Sequence, residues 1–162
     1  KLGFPSYEVD LTKNYNSDLK FDAAIVIGGL HHCISDIETT INNIGKLIKK
    51  DGYFLMMEPN ANYFLEPIRK IWYKNDKYFE SDTENALEHD KILNIGKDHF
   101  KLVDVQYCGG IAYFLIFNSL IFRIPKSYKK IFKKVLFRQE KIYNKLPGKL
   151  PFAYFLAKWK KI

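Results

Sequence analysis

A chain of 162 residues with 47% hydrophobic and 27% charged side chains suits one domain with a real core and excludes disorder. No stretch reaches the roughly 20 apolar residues of a membrane-spanning helix, and two cysteines, Cys33 and Cys108, cannot build a disulfide framework, so a reducing cytoplasm is the expected setting. The net charge of +8 is unevenly spread: residues 1–110 carry 13 Lys and Arg against 17 Asp and Glu, and residues 111–162 carry 13 against 1. Such a split points to a basic face for an anionic partner, a lipid surface or nucleic acid, with a solvated basic tail as the plain alternative. Lys1-Leu2-Gly3 looks like neither a translation start nor a signal peptide, so a longer parent protein is expected.

Along the chain, Tyr7-Glu8-Val9 is a short strand candidate ending at Asp10. The apolar run Asp22–Ile27, closed by Gly28-Gly29, reads as a strand buried on both faces. Ser35-Asp36-Ile37-Glu38 has the form of a capping box, and Ile37, Ile41, Ile44 and Ile48 follow at helical spacing. Lys49-Lys50-Asp51-Gly52 ends that helix, and Tyr53–Met57 is the next buried strand, stopped by Glu58-Pro59-Asn60. A loop and an aromatic-rich helix are expected over 61–77, and a second capping box at Ser81–Glu84. A short helix over Asp90–Ile95 closes at Gly96, and Lys101–Tyr107 alternates as a strand before the Gly109-Gly110 turn. Residues 111–118 suit an antiparallel strand or an apolar helix, and the strand is the expectation. From Lys126 to Leu146 apolar positions share one helical face and basic residues the rest. Phe152, Phe155, Leu156 and Trp159 predict a further short amphipathic helix.

Strands alternating with helices predict an α/β domain with a mostly parallel sheet. The run Phe21-Asp22-Ala23-Ala24-Ile25-Val26-Ile27-Gly28-Gly29-Leu30-His31-His32 resembles the fourth strand of class I S-adenosylmethionine-dependent methyltransferases, which often reads F-D-x-V before a later L-H-H. Asp10, twelve residues before Asp22, matches the Asp at the end of their third strand. Leu47–Phe54 is similar to the family's L-K-P-G-G approach to the fifth strand, and Glu58-Pro59-Asn60 to the E-P-N that follows it in one subgroup. The resemblance implies a partial Rossmann-like sheet, strands three to seven, in residues 1–118, followed by a basic helical extension over 119–162. It implies S-adenosylmethionine as cofactor. The family's Gly-rich turn and the acidic residue after strand two have no counterpart: no G-x-G-x-G occurs in the chain. A C-terminal portion of such an enzyme is therefore expected.

Ligands of open α/β sheets sit at the carboxyl ends of the strands. By the resemblance, the Asp10 carboxylate accepts from the adenine amino group and the Leu11 backbone meets the ring; the alternative for Asp10 is a cap on the next turn. Gly28 and Gly29 either let backbone approach the ligand or simply end the strand. His31 and His32 are candidate general bases for an O- or N-acceptor; the other reading makes them structural or, for His32, a brace for the loop at the cofactor. Glu58 is a candidate to bind or deprotonate the acceptor, or else is structural. His31-His32-Cys33 does not suit a metal, because adjacent residues rarely converge on one ion. Tyr63, Phe64, Trp72, Tyr73, Tyr78 and Phe79 read as helix core or as a substrate cover. A base-methylating N-P-P-Y motif is absent from strand four.

The expected activity is methyl transfer to a small-molecule or lipid-linked acceptor, with peripheral contact to an anionic membrane through the basic segment. The alternatives are a nucleic-acid binder or RNA methyltransferase, and a non-catalytic interaction module.

Overall fold

The structure, a computed structural model, describes residues 3, 5–74, 84–117 and 124–162. Its centre is a four-stranded sheet built from β1 (Phe21–Ile27), β2 (Ile48–Pro59), β3 (Phe100–Cys108) and β4 (Tyr154–Lys161), in the order β1-β2-β4-β3. β1 and β2 are parallel; β4 is antiparallel to both β2 and β3. The parallel pair is joined by α1 (Ile37–Leu47), as a right-twisted sheet requires of a crossover. Between β2 and β3 lie α2 (Glu66–Lys74) and α3 (His89–Ile95), and α4 (Lys126–Tyr143) connects β3 to β4.

The isoleucine stripe of α1 packs on one sheet face, where Ile41 and Ile44, joined by Ile48 at the start of β2, meet Phe54, Met56, Phe155, Ala157 and Trp159. Phe54 and Trp159 are register partners, their rings edge to face at 5.7 Å. The cap of α1 is Asp36, whose carboxylate accepts from Thr39 N–H at 2.9 Å, one residue later than the expected Ser35 cap. Asp and Ser cap equally well, so composition alone did not separate them. Residues 49–52 loop out between the pairs Phe21–Ile48 and Ala23–Tyr53. Gly52 is required there, since a Cβ would lie 2.6 Å from the Asp22 carbonyl.

Several expectations are corrected. Residues 7–10 form no strand and are exposed, since among the described residues no strand pairs with them. β1 is buried on one face only: Ala24 and Val26 pack on the core, whereas Ile25 and Ile27 are 67% and 71% exposed. β1 is also an edge strand among the described residues. Residues 111–117 are helical, with a π turn over Tyr113–Phe117, and 118 lies outside the described residues. The predicted helix over 152–159 is instead β4, the strand between β2 and β3. Of the segment expected as a basic extension, the described residues 124–162 join the fold: α4 lies between β3 and β4, and β4 pairs with β2 and β3. The Ser81–Glu84 capping box falls largely outside the described residues.

Candidate functional site

β1 runs into Gly28, held by its N–H to the Met57 carbonyl at 2.8 Å and turned by a φ of +58° that favours glycine. The chain then folds into a tight 3₁₀ turn, Leu30–His32. This turn is wrapped around a single carboxylate. Glu58, at the end of β2 and 1% exposed, accepts from Gly29 N–H at 3.0 Å and Leu30 N–H at 2.8 Å through Oε1. Its Oε2 accepts from His31 N–H at 3.3 Å and pairs with His31 Nδ1 at 2.8 Å. A buried carboxylate needs such donors to offset its lost hydration. With both oxygens so engaged, Glu58 orients His31: in the neutral ring, a proton on Nδ1 toward the carboxylate leaves a lone pair on Nε2.

His32 makes a different contact. Its Nδ1 lies 2.8 Å from Glu84 Oε1, on a segment that crosses this end of the sheet. Asn85 N–H donates to the His31 carbonyl, and Leu87 exchanges backbone hydrogen bonds with Pro59 and Ala61 beside Asn60. From sequence Glu84 was named only as part of a capping box and Asn85 not at all, since their relation to His31 and His32 spans some fifty residues of chain.

Asp10 lies at the same end. Its carboxylate accepts from Thr12 N–H at 3.0 Å and Thr12 Oγ1 at 2.6 Å and pairs with Lys13 at 3.0 Å, which together hold its pKa down at about 2. Leu11 packs against the core, and Asn43 of α1 donates to the Leu11 and Lys13 carbonyls, fixing this loop. Burial pushes the Cys33 thiol up, with the Glu58 and Asp10 carboxylates adding to the effect. Gly28, Gly29, His31, His32 and Glu58 are thus gathered at the carboxyl ends of β1 and β2, with Asp10 near enough to act on the Cys33 thiol.

Next to them, Asn60 is fully buried and donates through Nδ2 to the Lys149 and Phe152 carbonyls. Arg69, on α2, donates to the Asn60 and Ala153 carbonyls, each at 3.1 Å. These contacts lock the end of β2 to the start of β4, which makes Asn60 a structural member of the Glu58-Pro59-Asn60 motif. In the aromatic segment Tyr63 is buried and Phe64 exposed, their rings 5.1 Å apart. Burial drives the Tyr63 hydroxyl up to a pKa of about 12. Tyr78 and Phe79 lie outside the described residues.

The sequence matches no family model and no curated protein. Solved structures do match. A SAM-dependent methyltransferase from Thermotoga maritima superposes with a TM-score of 0.55 at 13% identity, over 91% of this chain and 60% of its own length. One from Mesorhizobium loti gives 0.55 at 11%, over 94% of this chain and 67% of its own. One from Archaeoglobus fulgidus gives 0.53 at 10%, over 89% and 61%. The chain has the Rossmann-like α/β fold of these methyltransferases and spans about three fifths of the length of two of them.

Proposed function

We propose that this chain is the C-terminal, acceptor-facing portion of an S-adenosylmethionine-dependent methyltransferase acting on a small-molecule or lipid-linked acceptor. The observation that carries the reading is the Glu58-centred turn at the carboxyl ends of β1 and β2, the place where open α/β sheets bind ligands, in a chain with this fold. Asp10, Leu11, Gly28, Gly29 and His32 would form the chain's wall of the cofactor site. Gly28 suits that role: it is bare backbone, and the nearest atom to an added Cβ would be His31 Cε1 at 3.8 Å. When bound, the cofactor supplies an electrophilic methyl group on a sulfonium centre.

The protein's own part is alignment and proton transfer. An acceptor O–H or N–H placed at His31 Nε2 would pass its proton to that nitrogen, and Glu58 would stabilise the resulting imidazolium through Nδ1–H. Glu58 is then a positioning residue and His31 the base. The free edge of β1 and the uncovered Ile25 and Ile27 suit a further parallel strand with its covering helix. Such a unit would also bring the Gly-rich turn that the sequence lacks.

Isothermal titration with S-adenosylhomocysteine tests the proposal. The 162-residue chain alone is expected to show no appreciable binding, because the groups that grip the cofactor's ribose and carboxylate are missing. Joining a Gly-rich strand-turn-helix unit ahead of it should give micromolar binding. Tight binding by the chain alone would overturn the need for that unit; failure of the joined protein to bind or transfer methyl groups would overturn the assignment itself.

A further inference from the structure

α4 has three distinct sides. Leu136, Glu140 and Tyr143 face the body of the protein: Glu140 accepts from Gly110 N–H at 2.7 Å and Ala112 N–H at 3.1 Å, and Tyr143 donates its hydroxyl to the Pro151 carbonyl at 2.5 Å. A second side, at spacings of three and four, carries Tyr128, Ile131, Phe132, Val135 and Ile142, all 57–69% exposed. A third side carries Lys130, Lys134, Arg138, Lys141 and Lys145, also exposed. The apolar stripe thus does not pack on the sheet. It lies in water beside a row of cations, on a helix whose only acid is turned inward.

We infer that α4 docks in the plane of an anionic membrane, its apolar stripe set into the headgroup–acyl boundary and its basic row on the lipid phosphates. The arrangement is that of an interfacial helix, with the body of the protein on the remaining side. No helix among the described residues is long and apolar enough to cross a membrane. A groove of about 350 Å³ between Leu115 and Ile116 on one wall and Tyr128, Phe132 and Val135 on the other extends the apolar surface. Two other occupants fit less well. A second copy seated on the stripe would bring two rows of like charge together. Nucleic acid would neutralise the cations but leave Ile131, Val135 and Ile142 against phosphates and sugars, where aliphatic groups gain little. Tyr154 pairs with Pro59 and with Cys108, so the loops flanking α4 meet the sheet at the end that holds His31 and Glu58. Docking therefore brings that end toward the bilayer. The docking itself stands whether or not the methyl-transfer reading does.

Co-sedimentation with phosphatidylcholine vesicles, with and without one third phosphatidylglycerol, tests it. Binding is expected only with the anionic lipid and is expected to fall as salt rises. Lys134→Gln with Arg138→Gln should weaken it about thirtyfold, from roughly 1 kcal/mol per basic residue near the surface. Ile131→Ser with Phe132→Ser should weaken it about tenfold or more. Because these side chains are exposed, circular dichroism melts of both variants should match the parent. Absence of sedimentation with anionic vesicles overturns the inference, as does sedimentation insensitive to both variants. Stripe-dependent dimerisation or retention of single-stranded RNA, without vesicle binding, also overturns it and assigns the face to that occupant.

Discussion

Replacing Glu58 by Gln keeps the side chain's shape but turns an NH₂ group toward two N–H donors. Whichever way the amide lies, it meets either the Gly29 and Leu30 pair or the His31 pair. The expected cost is about 2–4 kcal/mol, read as a lower denaturation midpoint, because buried donors lose a charged acceptor. His31→Gln removes a part-buried donor from the buried Glu58 carboxylate and should cost about 1.5–3 kcal/mol. On the proposed methyl-transfer reading, with a Gly-rich unit joined ahead of the chain, it should lower turnover by about 10²–10⁴-fold and remove a pH–rate inflection, with cofactor affinity nearly intact. His32→Gln should instead weaken cofactor binding. Lost turnover with unchanged cofactor affinity in His32→Gln would move the base from His31 to His32. Both histidines and Glu58 were visible as candidates from their residue types and their place after apolar strands. Their pairing was not, because 27 residues separate His31 from Glu58 and no local periodicity relates positions on two parallel strands.

At the scale of elements, the attachment of α4 is the feature with most at stake. Glu140→Ala would leave the Gly110 and Ala112 N–H groups buried without an acceptor, and a loss of about 2–4 kcal/mol is expected in urea unfolding. Gly110→Ala tests the same junction, since its Cβ would lie 2.6 Å from the Tyr143 ring; overpacking of this kind costs about 1–3 kcal/mol. A variant as stable as the parent would mean that α4 is not held on the 109–112 turn. The helix itself was legible from its 3.6-residue pattern. β4 was not, for a definite reason: Phe155 and Trp159 are four apart, a spacing shared by a helical face and by alternate positions of a strand. Phe152 and Leu156 tipped the pattern toward a helix, yet Phe155, Ala157 and Trp159 are the buried face.

For the whole molecule, two imidazoles, His89 buried and His99 half-buried, couple the fold to pH. Burial lowers the His89 pKa below its ordinary value of 6.5, and His89 Nε2 accepts from Trp159 Nε1 at 3.2 Å in the core. His99 is lowered too, by burial and by Lys161. Below about pH 6.5 the unfolded chain takes up protons that the folded one refuses, so stability is full above that pH and declines as pH falls through it. Urea midpoints should therefore be lower at about pH 5.5 than at about pH 7.5; equal midpoints would show that neither ring is held neutral. The amino-acid sequence by itself determined the α/β class, the strand β1 with its glycine exit, α1, β3 and the amphipathic α4, because each rests on local periodicity and turn chemistry. Only the tertiary structure decided which strand lies beside which, that the last segment enters the middle of the sheet, that one face of β1 is uncovered, and that Glu58 organises the turn at His31. Those outcomes depend on which distant segments desolvate one another, and no pattern confined to neighbouring residues carries that energy.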